Sequence, residues 1–300
     1  MRYSIGIDMS LPIDQIIDRV AGLADDGFDS VTCSQIFSYD ALTLLAVVGS
    51  HVPDIGLNTA VVPIYPRHPV TLAAQALTVQ AATGGRLVLG VGLSHEFVIE
   101  HLYGYSFDRP RHHMEEYLGA LMPLLHDKAV DFAGDTLKAA MTLELDQPAP
   151  PVVVAALGPK MLEMAGRLAQ GTVTWMTGPV TLEEYIVPTI TAAARAAGRP
   201  EPIIGAGFPV CVTDDPEQVR ARMADTYATY GTLPSYRAML DREGAVNPSG
   251  AAIVGDESSV AEQIAHLERI GVTQLGVSLT GSSSEMDRTM RLLRELVASR

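Results

Sequence analysis

The chain has 300 residues, 47% of them hydrophobic, which is ample for a full α/β core. Its 35 acidic residues outnumber the 21 basic ones for a net charge of -14. That excess argues against nucleic acid or an anionic membrane as partner, since both need clustered Lys and Arg. Cys33 and Cys211 lie in apolar runs without CxxC spacing, so a disulfide scaffold is not expected and a reducing compartment fits. The opening MRYSIGIDMS has no apolar stretch of signal-peptide length, and no segment approaches the roughly 20 apolar residues that span a bilayer. A cytoplasmic location is the expectation.

Tyr3 to Asp8 (YSIGID) reads as a strand, and beyond Pro12 the positions Ile13, Ile16, Ile17, Val20 and Leu23 recur at helical spacing until Gly27. Similar strand and helix units follow. They are Ser30 to Ser34 with a helix from about Asp40, Ile55 to Val62 with one from about Pro69, and Arg86 to Gly92 with one from about Arg109. The second half gives Val152 to Leu157 with Pro159 to Leu168, Thr172 to Met176 with Thr181 to Ala197, Ile203 to Val212 with Pro216 to Tyr230, and Val272 to Leu279 with Ser284 to Ala298. Eight strands, each followed by a helix and with no second core-forming shift in composition, predict one α/β domain over residues 1–300, a (β/α)8 TIM barrel. Two stretches break the alternation, near 128–150, with a hairpin expected around Gly134-Asp135, and near 232–255, rich in Gly, Pro and Asn. Each is a candidate lid over the barrel mouth.

In such a barrel the active site lies at the C-terminal strand ends. Those ends read Asp8-Met9-Ser10, Cys33-Ser34-Gln35, Asn58-Thr59-Ala60-Val61, GVGLSHE from Gly90 to Glu96, ALGPK from Ala156 to Lys160, and WMTGP from Trp175 to Pro179. Their polar side chains are mostly neutral, with few convergent carboxylates, a pattern that suits holding a large planar cofactor better than hydrolysis by paired acids. GVGLSHE is not a dinucleotide fingerprint, because His95 stands where the third glycine belongs and the context is the fourth strand. HEFVIEH fails as a zinc motif because Ile99 stands four residues after His95. His112 and His113, after Arg109 and Arg111, are either a solvated basic turn or an anion contact. Met161, Met164 and Leu168 keep helical spacing and read as core, and Trp175 reads as barrel packing or as the wall of a planar ring. ALGPK and MTGP each put a glycine and then a proline at neighbouring strand ends, where backbone can approach a ligand and a helix N-terminus can receive an anion. Gly-Pro is also a common strand-to-helix turn, and that plain reading stays open.

Taken with these strand ends, NTAVVPIYPRHPVTLAAQALTVQAATGGRLVLGVGLSHE (Asn58 to Glu96) and PPVVVAALGPKMLEMAGRLAQGTVTWMTGP (Pro150 to Pro179) resemble the luciferase-like monooxygenase superfamily. The branch most similar is its coenzyme F420-dependent oxidoreductase class. The resemblance implies a luciferase-like barrel with the cofactor ring at its mouth and a non-proline cis peptide at Thr59–Ala60 backing that ring. It also implies ring and ribityl contacts from Ser34, Thr59, Ala60, Ser94 and His95, and a phosphate near Ala156, Gly158, Pro159, Lys160, Thr177 and Gly178. Where the sugar-phosphate dehydrogenase branch has an Asp-His pair after the second strand, this chain has Gln35-Ile36, so a base for that alcohol oxidation is missing. The implied reaction is hydride transfer between the deazaflavin and a small organic substrate, in the reductive direction, with His95 as the polar group beside the reacting ring atom and no metal. The alternatives are an FMNH2-dependent two-component monooxygenase and a non-catalytic flavin- or deazaflavin-binding protein. Barrels of this superfamily are often homodimers.

Overall fold

A computed structural model describes residues 1–300. Eight parallel strands close into a barrel, and these are β1 (Arg2–Gly6), β2 (Ser30–Cys33), β3 (Gly56–Thr59), β4 (Leu87–Gly92), β5 (Val152–Ala155), β6 (Gly171–Trp175), β7 (Ile203–Val212) and β8 (Gln274–Leu279). Each pairs with its sequence neighbour, and β8 returns to β1 with Gln274 beside Arg2, so no edge is left open. Helices ring the outside, which makes the chain the predicted (β/α)8 barrel. Those at Pro69–Thr83, Pro110–His126, Pro159–Leu168 and Pro216–Thr226 all open on a proline, whose fixed φ and missing N–H suit a first helical position.

The helix-facing side of the barrel wall is apolar, with Val31, Leu57, Leu89, Val152 and Val154 fully buried. One polar layer crosses the interior. Asn58 Nδ2 donates to Ser30 Oγ at 2.8 Å and Ser4 Oγ at 3.1 Å, and Ser4 and Thr32 share a hydrogen bond of 2.6 Å. These groups satisfy one another, so the layer is not an unpaired burden on the core. Two sequence motifs now have physical causes. Arg86 of GGR donates to the carbonyls of Val52, Ile55, Gly49 and Thr83, tying the end of one helix and the start of β3 to β4. Gly90 is required because a Cβ there would lie 2.0 Å from the carbonyl oxygen of Thr59.

The third strand departs from its expected extent. β3 pairs regularly with β2 through Thr59, and only beyond it does the chain bend, with Val62–Pro63 pairing back to β4. The cis peptide is at Ala60–Val61, one bond later than the resemblance implied. The reason lies in Thr59, whose hydroxyl donates to Gly90 O at 2.9 Å and accepts from Gly90 N at 2.8 Å, holding that residue in the ladder.

The first irregular stretch is the expected hairpin, Ala129–Ala133 against Lys138–Thr142, turning at 134–137. The second is more ordered than its composition suggested. It forms helices Ala228–Thr232 and Pro234–Glu243, a 3-10 turn Pro248–Ala251, and a short strand Ile253–Gly255 beside β7. Glycine and proline there serve as punctuation, with Pro234 opening a helix and Gly244 ending it at φ 70°. No helix is long and apolar enough to cross a membrane.

One carboxylate clips the hairpin to the barrel. Glu116, 8% exposed, accepts from the backbone N–H groups of Asp135 (2.7 Å) and Thr136 (2.8 Å) and from the Thr136 hydroxyl (2.6 Å). Burial pushes this carboxyl up, but the three donors and His112 outweigh it and bring it down to about 2. Because the folded value is depressed, its contribution is complete above the ordinary 4.5 and is lost as pH falls toward about 2. Glu116→Ala is expected to lower stability at neutral pH by about 2 kcal/mol in chemical denaturation, with faster amide exchange at Asp135 and Thr136. The penalty should shrink in that acid window.

Candidate functional site

The C-terminal strand ends converge on one mouth, and the expected site residues fall into three groups there. The first group backs the mouth. Ser34, just past β2, donates from Oγ to Ala60 O at 2.8 Å, and Ala60 N donates to Cys33 O at 3.0 Å, so Ser34 and Ala60 buttress the bend after β3. Thr59 is 1% exposed, with its hydroxyl engaged by Gly90, which makes it part of this backing. Gln35, the departure noted after β2, accepts from Ala41 N at 2.7 Å and from Arg67 at 3.3 Å. Arg67, from the RHP loop, also pairs with Asp40.

The second group follows β4. Ser94 takes a left-handed backbone at φ 62°, which turns the chain so that His95 stands at the start of the next helical segment. Met176, one residue past β6, does the same at φ 49°. Non-glycine residues in this region are uncommon and concentrate at functional sites. Burial holds the His95 imidazole below its ordinary 6.5, with no charge contributing, so the ring is neutral near neutral pH. Its ring centroid lies 6.2 Å from Tyr230 and 6.1 Å from Tyr236, both from the second irregular stretch.

The third group comprises the two Gly-Pro turns, which the structure makes unlike each other. At the first, Ala156 is buried and Gly158 precedes helix Pro159–Leu168 with no side-chain cap, and a Cβ built on Gly158 meets nothing within 4 Å. The turn is therefore open. Lys160 does not reach back to it, since its amine lies 3.0 Å from Glu163 and the side chain is 70% exposed. At the second turn, Thr177 is buried and Gly178 packs against the protein's own anion. Glu243 accepts from Val180 N at 3.2 Å and Thr181 N at 2.8 Å. A Cβ on Gly178 would lie 2.1 Å from Glu243 Cδ, so the close approach that this glycine allows is that of an internal carboxylate.

Sequence reasoning missed Glu243 and the tyrosines. Thr181 and Glu243 are 62 residues apart, and nothing local marks such a contact. A signal for the tyrosines did exist, because Tyr227, Tyr230 and Tyr236 are three of only ten in the chain. Trp175 is the one tryptophan, its ring packs 5.9 Å from Tyr227, and its Nε1 is buried without a partner in the protein. His112 and His113 belong to neither turn. His112 lies 3.1 Å from Glu116 and 3.2 Å from Asp135, and His113 stacks on Tyr65 at 4.6 Å, so both serve the hairpin side.

Residues 4–274 match the family model described as luciferase-like monooxygenase. A putative coenzyme F420-dependent oxidoreductase of Mycobacterium tuberculosis is 27% identical, covering 92% of this chain and 93% of that protein. Among solved structures, the coenzyme F420-dependent tetrahydromethanopterin reductase of Methanopyrus kandleri superposes with a TM-score of 0.82 at 19% identity, covering 99% of this chain and 98% of that one. The EDTA monooxygenase of Chelativorans sp. BNC1 also gives a TM-score of 0.82, at 18% identity over 100% of this chain and 94% of that one.

The two glycines make a paired test. Gly158→Ala is expected to leave stability within about 0.5 kcal/mol of the parent, since the added methyl enters open space. Gly178→Ala should displace the Glu243 carboxylate, cost about 1 to 2 kcal/mol, and speed amide exchange at Val180 and Thr181.

Proposed function

The chain belongs to the luciferase-like monooxygenase family, and on that premise we propose that it is a coenzyme F420-dependent oxidoreductase that reduces a small unsaturated organic substrate. Members of this family are enzymes, and the relatives and neighbours above include F420-dependent oxidoreductases and a monooxygenase, which makes a deazaflavin or flavin the fitting cofactor. The observation that carries the reading is the uncapped helix start at Gly158, open at the mouth while the neighbouring turn is filled. A free helix N-terminus is a ready acceptor of a phosphate, and the unpartnered indole N–H of Trp175 offers a second donor to a ligand. The residues present therefore fit the phosphate end and one polar edge of such a group.

When bound, a deazaflavin supplies a hydride and a planar ring. The chain's own work is binding, orientation and water exclusion. The Gly158 turn would hold the phosphate through backbone rather than charge, because Lys160 is paired with Glu163. Ser34 and Ala60 would fix the backbone behind the ring. His95, kept neutral by burial, would donate an N–H hydrogen bond to an acceptor atom of the substrate as charge develops there. Few ionisable groups converge on the mouth, in keeping with chemistry supplied by the cofactor rather than by paired acids. The rival, an FMNH2-dependent monooxygenase, is favoured by the family's own description.

Titration of the purified protein with F420 and FMN side by side tests the reading. Saturable F420 binding tighter than FMN binding is expected, and tight FMN binding with no F420 binding would overturn it. His95→Ala should lower kcat about 100-fold at unchanged F420 affinity. Because burial lowers the imidazole value, the parent's rate should not fall as the pH is taken from neutrality through 6.5, the ordinary value for the group.

A further inference from the structure

The segment 227–251 crosses the barrel mouth and brings an unbroken run of aromatic rings over it. From the end of β6 the run goes from Trp175 to Tyr227 (5.9 Å), to Tyr230 (6.3 Å) and to Tyr236 (4.9 Å), and both Tyr230 and Tyr236 then reach His95 beyond β4. The contacts are edge-on or tilted, as aromatic pairs prefer. They span the ends of β4 and β6, with β5 and its open Gly158 turn between them.

The charges of this segment are all engaged elsewhere. Helix Pro234–Glu243 carries Arg237, Asp241, Arg242 and Glu243, and residues 244–251 carry none. Arg237 pairs with Asp241 at 2.8 Å and donates to the carbonyls of Ala245 and Val246. Arg242 lies over the Tyr185 ring at 4.0 Å, and Glu243 is held on the Val180 and Thr181 amides. Burial raises both Tyr230 and Tyr236, with only a neighbouring phenol adding to it, so no cation offsets the shift. An anionic group entering this space would lose its water and find no positive partner.

We infer that Tyr230 and Tyr236, together with His95, form the substrate-facing wall of the mouth, that this wall selects a flat, uncharged, conjugated group and rejects its carboxylate analogue, and that Glu243 is the positioning residue that fixes the wall. This deepens the function proposed above and rests on it for the placing of the cofactor. Aromatic rings recognise a flat conjugated group by stacking, while the phenol hydroxyls and the imidazole N–H supply donors for its carbonyl.

Cinnamamide and cinnamate test the wall, because they share one conjugated skeleton and differ in charge. Trp175, the only tryptophan, reports on it without turnover. Added to the protein alone and with F420 bound, cinnamamide is expected to change Trp175 fluorescence saturably, and cinnamate to bind at least about tenfold more weakly. Tyr236→Leu should weaken cinnamamide about tenfold with F420 affinity unchanged, Tyr236→Phe should retain most of it, and Glu243→Gln should weaken cinnamamide while the Thr181 amide becomes exchangeable. Cinnamate binding as tightly as cinnamamide, or no change in Tyr236→Leu, would overturn the inference, and the comparison on the parent protein decides the point even where a variant fails to fold. Loss of F420 and FMN binding from the parent would sink the cofactor reading instead and leave the amide-against-acid result standing.

Discussion

The carboxylate of Glu243 on the amides of Val180 and Thr181 governs how this barrel mouth can be used. Two strand ends carry the same Gly-Pro turn, and a helix starts after each, yet only one of them is available to an external anion. The internal carboxylate fills the other, and Gly178 is a glycine because that group sits on it. The same contact docks the C-terminal end of helix Pro234–Glu243, and Thr181 Oγ1 reinforces it by donating to Met239 O at 3.2 Å. One ionic hydrogen-bonded joint thus fills the second turn and sets where the aromatic segment lies, and in the proposed function it leaves the Gly158 turn to the phosphate. A charge-assisted joint of this kind is stronger and more directional than the neutral contacts around it.

The rest of the mouth follows from what the barrel leaves at its strand ends. Closure satisfies the backbone of all eight strands, so side chains beyond them are free for binding rather than for mending an edge. What stands there is nearly neutral, namely serine, threonine, a half-buried imidazole, phenols and one indole. In a chain of net charge -14, the backbone N–H groups at a helix start would offer an anionic cofactor a local attraction without a lysine. Two basic side chains near the turns are engaged by the protein itself, Lys160 by Glu163 and Arg242 by the Tyr185 ring.

Much of this was legible in the sequence because it is local. The unbroken apolar run of Val152 to Ala155 and the prolines that open helices report on nearest neighbours, and every strand except β3 lies within about two residues of its expected limits. The hairpin was legible from Gly134-Asp135 for the same reason. The errors arose where a distant partner decides. The bend after β3 falls one residue late because Thr59 is held by Gly90, 31 residues away. The packing of Glu243 on Gly178 went unread because the two lie far apart along the chain. The 232–255 stretch read as irregular because glycine and proline punctuate short helices as readily as they mark loops.

The crystal structure of the F420 complex tests the central claim most directly, because it locates the phosphate relative to the two turns. The account predicts phosphate oxygens on the backbone N–H groups of Gly158 and Lys160, with Glu243 still on Val180 and Thr181 and no contact from the Lys160 side chain. A phosphate seated on the Val180 and Thr181 amides, with Glu243 swung away, would contradict it.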